Sequence, residues 1–353
     1  MLLLEIAGGE DPKAWIKAHN SIQTALVLLE KKRPQLEPVF NPEDSTELAI
    51  LKGERGEILI ECLRAELIGL ANATTFQNTI CTLDRQKGAL LALSRIGELL
   101  VKVFPYDVPS KGKFSYLPRL LGRATVTIKI KRAGAILGNI TIIADGYTAP
   151  ITAGNFVDLC LRNFYTGLPV KSFTKRFGSG LEQYPAQVSV LGSYNDGFFD
   201  PITAKLRTLP LEIIRLEGKS GLPKLSYSSA GLSDTSLSDM LGSYQPMEPS
   251  QTSKPLLTFN TPGLVAMNHA DRAPNSGSSA FFSLQSDTLP QKGRKVLDGE
   301  YAPFGFIIDG SDIYEALQPG DVIDSTLVDG FGALNLVKIR KSSLKEAASA
   351  TGS

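Results

Sequence analysis

Apolar side chains recur every three to four residues through the first hundred positions, a spacing typical of amphipathic helices. Asp11 followed by Pro12 predicts the start of a first helix, and the KRP run at 32–34 predicts its end. A capping box, DSTE at 44–47, predicts the start of a second helix. The same spacing predicts a third helix over residues 75–102.

The third predicted helix carries one apolar stripe, which predicts the side that packs into a bundle. Its members are Phe76, Ile80, Leu83, Leu90, Leu93 and Leu100. Three amphipathic helices with short connections predict an antiparallel bundle over residues 1–103. The bundle sequence pairs no nucleophile with a base and has no phosphate-binding loop, so we expect no catalytic site in it.

A segment rich in proline and aromatic residues, 104–121, separates the bundle from the rest of the chain. Its three prolines predict extended backbone rather than helix. Its aromatic residues are Phe104, Tyr106, Phe114 and Tyr116. Because a flexible tether needs no large aromatic side chains, we expect intramolecular contact of this linker and the helical bundle with the second half.

Beyond the linker the apolar period changes from helical spacing to alternation. Residues 124–130 alternate apolar with polar side chains and predict a half-buried strand. A helix is predicted from Pro150, and further short strands are predicted at 139–144, 187–191, 263–267, 280–284, 303–308 and 322–328. Many short strands with few helices predict a β-barrel or sandwich over residues 122–345, followed by a tail at 346–353. The serine-rich stretch 219–254 is predicted to be a long surface excursion.

The composition removes several classes of function. Lys and Arg total 37 against 36 for Asp and Glu, a formal net charge of +1 that gives no global attraction to nucleic acid or anionic lipid. The three cysteines lack metal-ligand spacing, and the two histidines, His19 and His269, cannot form a multi-histidine site. We therefore expect no metal, no cofactor and no nucleic-acid partner. The apolar run at residues 1–6 is too short for a signal peptide or a membrane span, so none is expected.

Sequence blocks in the second half point to a known family. The first two are APITAGNF at 149–156 and NFYTG at 163–167. They are followed by GLVAM at 263–267, SSAFF at 278–282, VLDGEYAPFG at 296–305 and GDVI at 320–323. In this order the blocks resemble the cyclophilin-type peptidyl-prolyl isomerases over residues 120–340.

The helical bundle and its linker narrow this resemblance to the large cyclophilins of the plant thylakoid lumen and their cyanobacterial relatives. The resemblance implies a multidomain fold, with an N-terminal helical bundle before a C-terminal eight-stranded cyclophilin-like β-barrel capped by two helices. It also implies a location in the thylakoid lumen or the periplasm and a part in the assembly of photosystem II.

Prolyl isomerisation twists the amide bond before proline, whose barrier is about 18–20 kcal/mol. The catalyst needs an apolar pocket for the proline ring and a donor for the lone pair that localises on the prolyl nitrogen. In the family that donor is an arginine shortly after the Phe-Tyr-x-Gly block. Counting forward from that block gives Ser172, which is predicted to be non-functional in this role. The following loop carries Lys175 and Arg176, of which Arg176 is the candidate surrogate.

The resemblance implies a peptide-binding groove lined by Phe282, Met267, Leu297, Tyr301, Val188, Leu191, Asn268 and Val296. Phe282 matches the phenylalanine that stacks on proline in the family. Val296 and Tyr301 stand where the family has a tryptophan and a histidine. Val188, Ser189 and Leu191 fall in the block that normally supplies an aromatic residue, a methionine and a glutamine, so the groove is expected to lack the ring and the amide of that block.

Three functions fit these features. The preferred interpretation is a catalytically weak cyclophilin that binds proline-containing client segments as an assembly chaperone, with photosystem II subunits as candidate clients. One alternative is a fully active prolyl isomerase that uses Lys175 or Arg176. The other is a scaffold that works mainly through its helical bundle.

Overall fold

The computed structural model describes residues 12–40, 47–100, 108, 114–177, 184–192, 197–201, 203–216, 223–227, 255–261, 263–271, 273–284, 295 and 297–337. The chain divides into two compact units, Met1–Lys102 and Val103–Ser353. Outside the described residues lie the predicted caps at Asp11 and at 44–46, the first part of the linker, most of the stretch 219–254 and the tail at 346–353.

The described part of the first unit is three helices, α1 Pro12–Phe40, α2 Glu47–Thr75 and α3 Thr79–Leu100. The predicted end of α1 at residues 32–34 was wrong, because the helix continues through Pro34. A proline inside a helix removes one backbone hydrogen bond. Arg33, directly before it, bonds to Glu57 and Glu61 of α2 at 3.0 and 2.6 Å, which holds this turn against the neighbouring helix.

The predicted packing stripe of α3 was also wrong. Ile80, Leu83, Leu90 and Leu93 are exposed, as is Phe76 in the turn before the helix. The buried side instead carries mostly smaller residues, namely Thr82, Ala89, Ala92, Ile96 and Leu99. Small side chains let α2 and α3 approach closely, and the contact also holds an ion pair from Arg85 to Glu66 at 3.2 Å.

Besides a short 3₁₀ helix at Pro274–Ser276, the described part of the second unit contains fourteen strands and three α-helices. In chain order they are β1 Arg119–Leu120, β2 Arg123–Arg132, β3 Ala135–Asp145, α4 Pro150–Leu161, β4 Lys171–Phe177, β5 Tyr184–Leu191, β6 Phe199–Asp200, β7 Lys205–Leu206, β8 Glu212–Leu216, β9 Pro223–Tyr227, β10 Leu264–Met267, β11 Phe281–Ser283, β12 Pro303–Asp309, α5 Ser311–Glu315, β13 Val322–Val328, α6 Gly330–Leu334 and β14 Leu336–Val337.

Eight of these strands form one strongly curled antiparallel sheet in the order β13-β2-β3-β12-β10-β11-β5-β4. Its two ends meet just before β4, where the Val170 N–H donates to the Asp321 carbonyl at 2.7 Å and the Ile323 N–H donates to the Leu168 carbonyl at 3.0 Å. This curled sheet, which follows a three-helix region in the chain, confirms the expected multidomain fold class.

Side chains from alternate strand positions fill the interior of the curled sheet. On β2 the buried positions are the apolar ones, which confirms the alternation predicted over 124–130. Four aromatic rings, from Phe156 on α4, Tyr165, Phe281 and Phe304, pack with centroids between 5.1 and 6.3 Å apart. Phe114 and Leu117 of the linker belong to the same core and are at most 1% exposed.

Two additional hairpins, β6–β7 and β8–β9, lie between β5 and β10 in the chain. Strand β9 falls in the stretch that was predicted to be a surface excursion, so that prediction is corrected at residues 223–227. Buried Arg207 follows β7 and bonds to Asp158 of α4 at 2.8 Å and to Asp200 of β6 at 2.6 Å. These charge-assisted bonds tie the first hairpin to α4.

No helix among the described residues is long and apolar enough to cross a membrane.

Candidate functional site

A second apolar cluster lies on the outer side of the curled sheet. It consists of Val188, Val190, Phe259, Leu264, Ala266, Phe282, Leu297 and Tyr301, and we call it the Phe282 cluster. Neighbouring strand residues point to opposite sides of a sheet, so Phe281 belongs to the interior core and Phe282 to this cluster.

Phe282 lies at the centre of the cluster because of the strand register. Phe282 lies on β11, between β10 and β5. It is paired with Ala266 of β10 and with Val190 of β5. Ala266 is small, so the Phe282 ring can lie over the sheet without a bulky neighbour on β10. The two valines of β5, Val188 and Val190, supply apolar surface but no hydrogen-bond donor in their side chains.

Aromatic rings surround Phe282. The ring of Phe259 is nearly parallel to it, at 8° and a centroid distance of 6.3 Å, and the Tyr301 ring meets it edge-on at 5.2 Å. Phe282 is 0% exposed, Leu297 is 1% exposed and Tyr301 is 6% exposed. The apolar surface that a proline ring would need is therefore covered by the chain's own side chains.

A hydrogen bond to Phe259 and a ring stacked on Tyr301 hold the two residues that cover Phe282. The Asp298 carboxylate accepts a hydrogen bond from the Phe259 backbone N–H at 2.8 Å. Burial raises the pKa of Asp298, and the hydrogen bond from Phe259 opposes that shift. His269 stacks on Tyr301 at 4.4 Å, and its two ring nitrogens lie 2.8 Å from the carbonyl oxygens of Ala270 and Glu300. These contacts fix the His269 ring in place and do not present it as a free base.

The structure brings together four of the predicted groove residues, Phe282, Leu297, Tyr301 and Val188. It does not place Met267 and Leu191 with them, because both belong to the interior core. Each is one residue out of phase with a cluster member, Ala266 and Val190 respectively, and a shift of one residue changes the side of the sheet.

Asn268 follows β10, is half-buried, and donates its backbone N–H to the Ala280 carbonyl at 2.8 Å. Val296 lies outside the described residues. Sequence reasoning missed four members of the Phe282 cluster, Val190, Phe259, Leu264 and Ala266. Strict alternation from Val188 would have found Val190, whereas no motif in the sequence pointed to Phe259.

The backbone register of β4 against β5 locates the predicted donor position. Ser172 is paired with Ser189, which is out of phase with Val188 and Val190. Lys171 is paired with Val190 itself. The side chains of Ser172, Lys175 and Arg176 lie outside the described residues. Along β4 the Arg176 backbone is five residues beyond Lys171, roughly 17 Å at the rise of a strand.

A buried carboxyl group connects the interior to the region beside the Phe282 cluster. Glu212 of β8 is 0% exposed and accepts hydrogen bonds from the backbone N–H groups of Ile151 and Thr152, at 3.1 and 2.7 Å, at the start of α4. Burial raises the pKa of Glu212 to about 7, although these bonds lower it. Ala149 offers α4 no side-chain cap, so Glu212 takes that role.

The Cys160 thiol of α4 is buried in the interior core. Burial raises the pKa of the Cys160 thiol, which disfavours the nucleophilic thiolate. Among the described residues no three histidine, cysteine or carboxylate side chains come together as a metal site.

Comparison with known proteins identifies a family that the chain matches. The model of the cyclophilin type peptidyl-prolyl cis-trans isomerase/CLD family matches residues 125–330. The chain is similar to a putative thylakoid lumen peptidyl-prolyl cis-trans isomerase of Synechocystis sp., with 35% identity over 283 residues that cover 80% of this chain and 66% of the relative.

Two chloroplastic peptidyl-prolyl cis-trans isomerases of Arabidopsis thaliana are also similar. CYP38 is 33% identical over 288 residues, which cover 78% of this chain and 58% of CYP38. CYP37 is 26% identical over 235 residues, which cover 62% of this chain and 42% of CYP37. The chain thus spans between 42% and 66% of the lengths of these three relatives.

Proposed function

The chain belongs to the cyclophilin-type peptidyl-prolyl cis-trans isomerase family, and on that premise we propose that it is an assembly chaperone that binds proline-containing client segments and isomerises them weakly. The observation that carries this proposal is the Phe282 cluster. It retains the phenylalanine, leucine and small strand neighbours of an apolar peptide site, but covers them with Phe259 and Tyr301.

Binding is supported by the apolar character of this cluster. Burying a proline ring against phenylalanine, leucine and valine side chains is favourable by about 25 cal/mol per Å² of apolar surface removed from water. The Phe282 ring is fully covered, so a client must first displace part of that cover, which reduces its affinity. A chaperone that releases its clients needs such moderate affinity.

Weak turnover is supported by the residue types around Phe282. Counting from the Phe-Tyr-x-Gly block gives Ser172 at the family's arginine position, and Val188 and Val190 have no side-chain donor. Loss of one preorganised donor to a transition state typically costs about 2.7–4 kcal/mol, or roughly 100- to 1,000-fold in rate.

The names of the relatives support a proposal for the location. The Synechocystis relative carries thylakoid lumen in its name, and the two plant relatives are chloroplastic. We place this chain in the thylakoid lumen or an equivalent periplasmic compartment, with photosystem II subunits as candidate clients. We also retain the domain boundaries expected from the sequence, at 1–103, 104–121, 122–345 and 346–353.

The test compares binding and turnover on the full chain. Fluorescence anisotropy of a labelled proline peptide gives affinity, and a protease-coupled assay gives turnover. We expect measurable binding that falls about tenfold in Phe282→Leu, because leucine keeps apolar volume but loses the flat ring on which a proline stacks. Phe199→Leu is the matched control, since Phe199 is 69% exposed on β6 and outside the cluster.

Equal binding by wild type and Phe282→Leu would contradict the proposal. Binding that survives in Phe282→Leu but is lost when residues of the helical bundle are substituted would favour the alternative function, a scaffold that works mainly through its bundle. Turnover at the rate of an ordinary cyclophilin would favour the fully active alternative.

A further inference from the structure

Catalysis of prolyl isomerisation needs a donor on the same side of the sheet as the proline-binding surface. Twisting the amide localises a lone pair on the prolyl nitrogen, and a cationic or N–H donor that meets this lone pair lowers the barrier. No covalent bond forms or breaks, and the donor keeps its proton. The donor must therefore be found among residues in phase with Phe282.

Strand β4 supplies a residue that meets this requirement. Lys171 is the register partner of Val190, and Val190 is in turn the register partner of Phe282. Directly opposed residues on neighbouring strands share a face, with Cβ atoms about 4.5–5.5 Å apart. Lys171 therefore lies on the outer face, two strands from Phe282.

Burial along the chain agrees with this placement. Val170 is 2% exposed and belongs to the interior core, whereas Lys171 is exposed. The next strand residue, Ser172, is paired with Ser189, which is 1% exposed and out of phase with the cluster. A lysine in this position can lay its aliphatic stem along Val190 and keep its ammonium group in water at the edge of the cluster.

We propose that Lys171 is the cationic donor of this site, and that its Nζ hydrogen-bonds the twisting prolyl amide of a client bound at the Phe282 cluster. This proposal rests on the proposed function, because it needs a client at that cluster. It moves the donor one residue from the position obtained by counting along the sequence, and it replaces Arg176, whose backbone lies farther along β4.

The identity of the donor explains why turnover is weak rather than absent. An arginine presents a planar, preorganised fork of donors, whereas a lysine presents a hydrated point charge on a flexible stem. Lys171 thus has to be ordered and partly desolvated at each turnover. An arginine at the same backbone position would need less ordering.

The test measures kcat and KM for a proline peptide on the full chain. We expect Lys171→Met to lower kcat by roughly 10- to 100-fold, below the value of a preorganised donor, with KM changed less than about threefold. We expect Lys171→Arg to raise kcat by about tenfold, and Ser172→Arg not to reproduce that increase. Lys129→Met, on β2 away from the cluster, is the matched control and leaves kcat unchanged.

Each outcome is decisive for Lys171. Unchanged kcat in both Lys171 variants, an increase in Ser172→Arg instead, or turnover below detection in both wild type and Lys171→Arg would overturn the assignment. If the peptide still binds and Phe282→Leu still weakens it, the proposed function stands while the Lys171 assignment falls. Absence of peptide binding by the wild-type chain would instead overturn the proposed function itself.

Discussion

The interior core and the Phe282 cluster are built from the same strands but differ in how they are closed. Phe281 and Phe282 are adjacent in sequence and both are at most 1% exposed. Phe281 is enclosed by α4, the linker residues and the opposite wall of the sheet. Phe282 is covered by single rings from loops: Phe259, whose backbone N–H bonds to Asp298, and Tyr301, on which His269 stacks.

This difference separates the role of the two faces. Removal of a ring from the interior leaves a cavity, because the packed strands and helices around it cannot move in to fill the space. The interior therefore determines stability. The outer cover consists of loop residues, which can open at lower cost than packed strands and helices. The Phe282 face is therefore suited to bind and release a client while the interior stays folded.

Truncation of Phe281, on the interior side of the sheet, should cause the largest loss of stability. We expect Phe281→Ala to lower the free energy of unfolding of the second unit by about 3–5 kcal/mol, because the cavity lies among packed aromatic rings. The chain offers separate reporters for the two units. Its single tryptophan, Trp15, lies in the first unit, and all ten tyrosines follow residue 105.

Urea unfolding followed by tyrosine circular dichroism and by Trp15 fluorescence measures both units in one sample. In Phe281→Ala the transition reported by tyrosine should move to lower urea. The free energy of unfolding reported by Trp15 should fall by less than the one reported by tyrosine. A loss below about 1 kcal/mol at Phe281 would show that the interior is no more tightly closed than the outer face.

A smaller effect is expected at Glu212, where the two faces are joined. The hairpin that begins with Glu212 also bonds the segment that carries Phe259, since the Leu256 N–H donates to the Ile214 carbonyl at 2.9 Å. Burial raises the pKa of Glu212 to about 7 in the folded chain, above its ordinary value. Folding thus favours the protonated form of this carboxyl group.

Glu212 stabilises the folded chain more at low pH than at high pH. The stabilisation from Glu212 is complete below its unfolded pKa and is lost as the pH rises through about 7. Between pH 5 and pH 8 the contribution of Glu212 to the free energy of unfolding should fall by on the order of 3 kcal/mol in the wild-type chain. The stability of Glu212→Gln should fall much less over the same range. Hydrogen exchange of the β8 segment at both pH values measures this. Glu315→Gln, on α5, is the control, and equal pH dependence in Glu212→Gln and wild type would refute the assignment.

The regular parts of both units could be predicted from the sequence because local spacing determines them. The alternation at 124–130 identified β2 and its buried side correctly, since one face of that strand packs on a single core. The stripe of α3 was mispredicted because the packed face combines Ala89 and Ala92 with Ile96 and Leu99, and the alanines carry little hydrophobic signal. Ala89 and Ala92 allow close approach of α2, and the larger Leu90 and Leu93 do not.

The candidate site depends on strand register, which local pattern does not specify. Leu191 and Met267 match family blocks by counting, yet each falls one residue away from the outer face. Phe259 reaches the cluster only through a loop held by Asp298, a contact between residues 39 positions apart in the chain. Such long-range contacts carry no periodic signal in the sequence.

Exchange NMR on the full chain with an isotope-labelled proline peptide tests the central claim most directly, because one sample yields affinity and isomerisation rate together. We predict saturable binding that shifts the methyl signals of Val188, Val190 and Leu297, with catalysed exchange at least about 100-fold slower than an ordinary cyclophilin supports. Binding that leaves those three methyl groups unshifted, or exchange at the ordinary rate, would contradict the account.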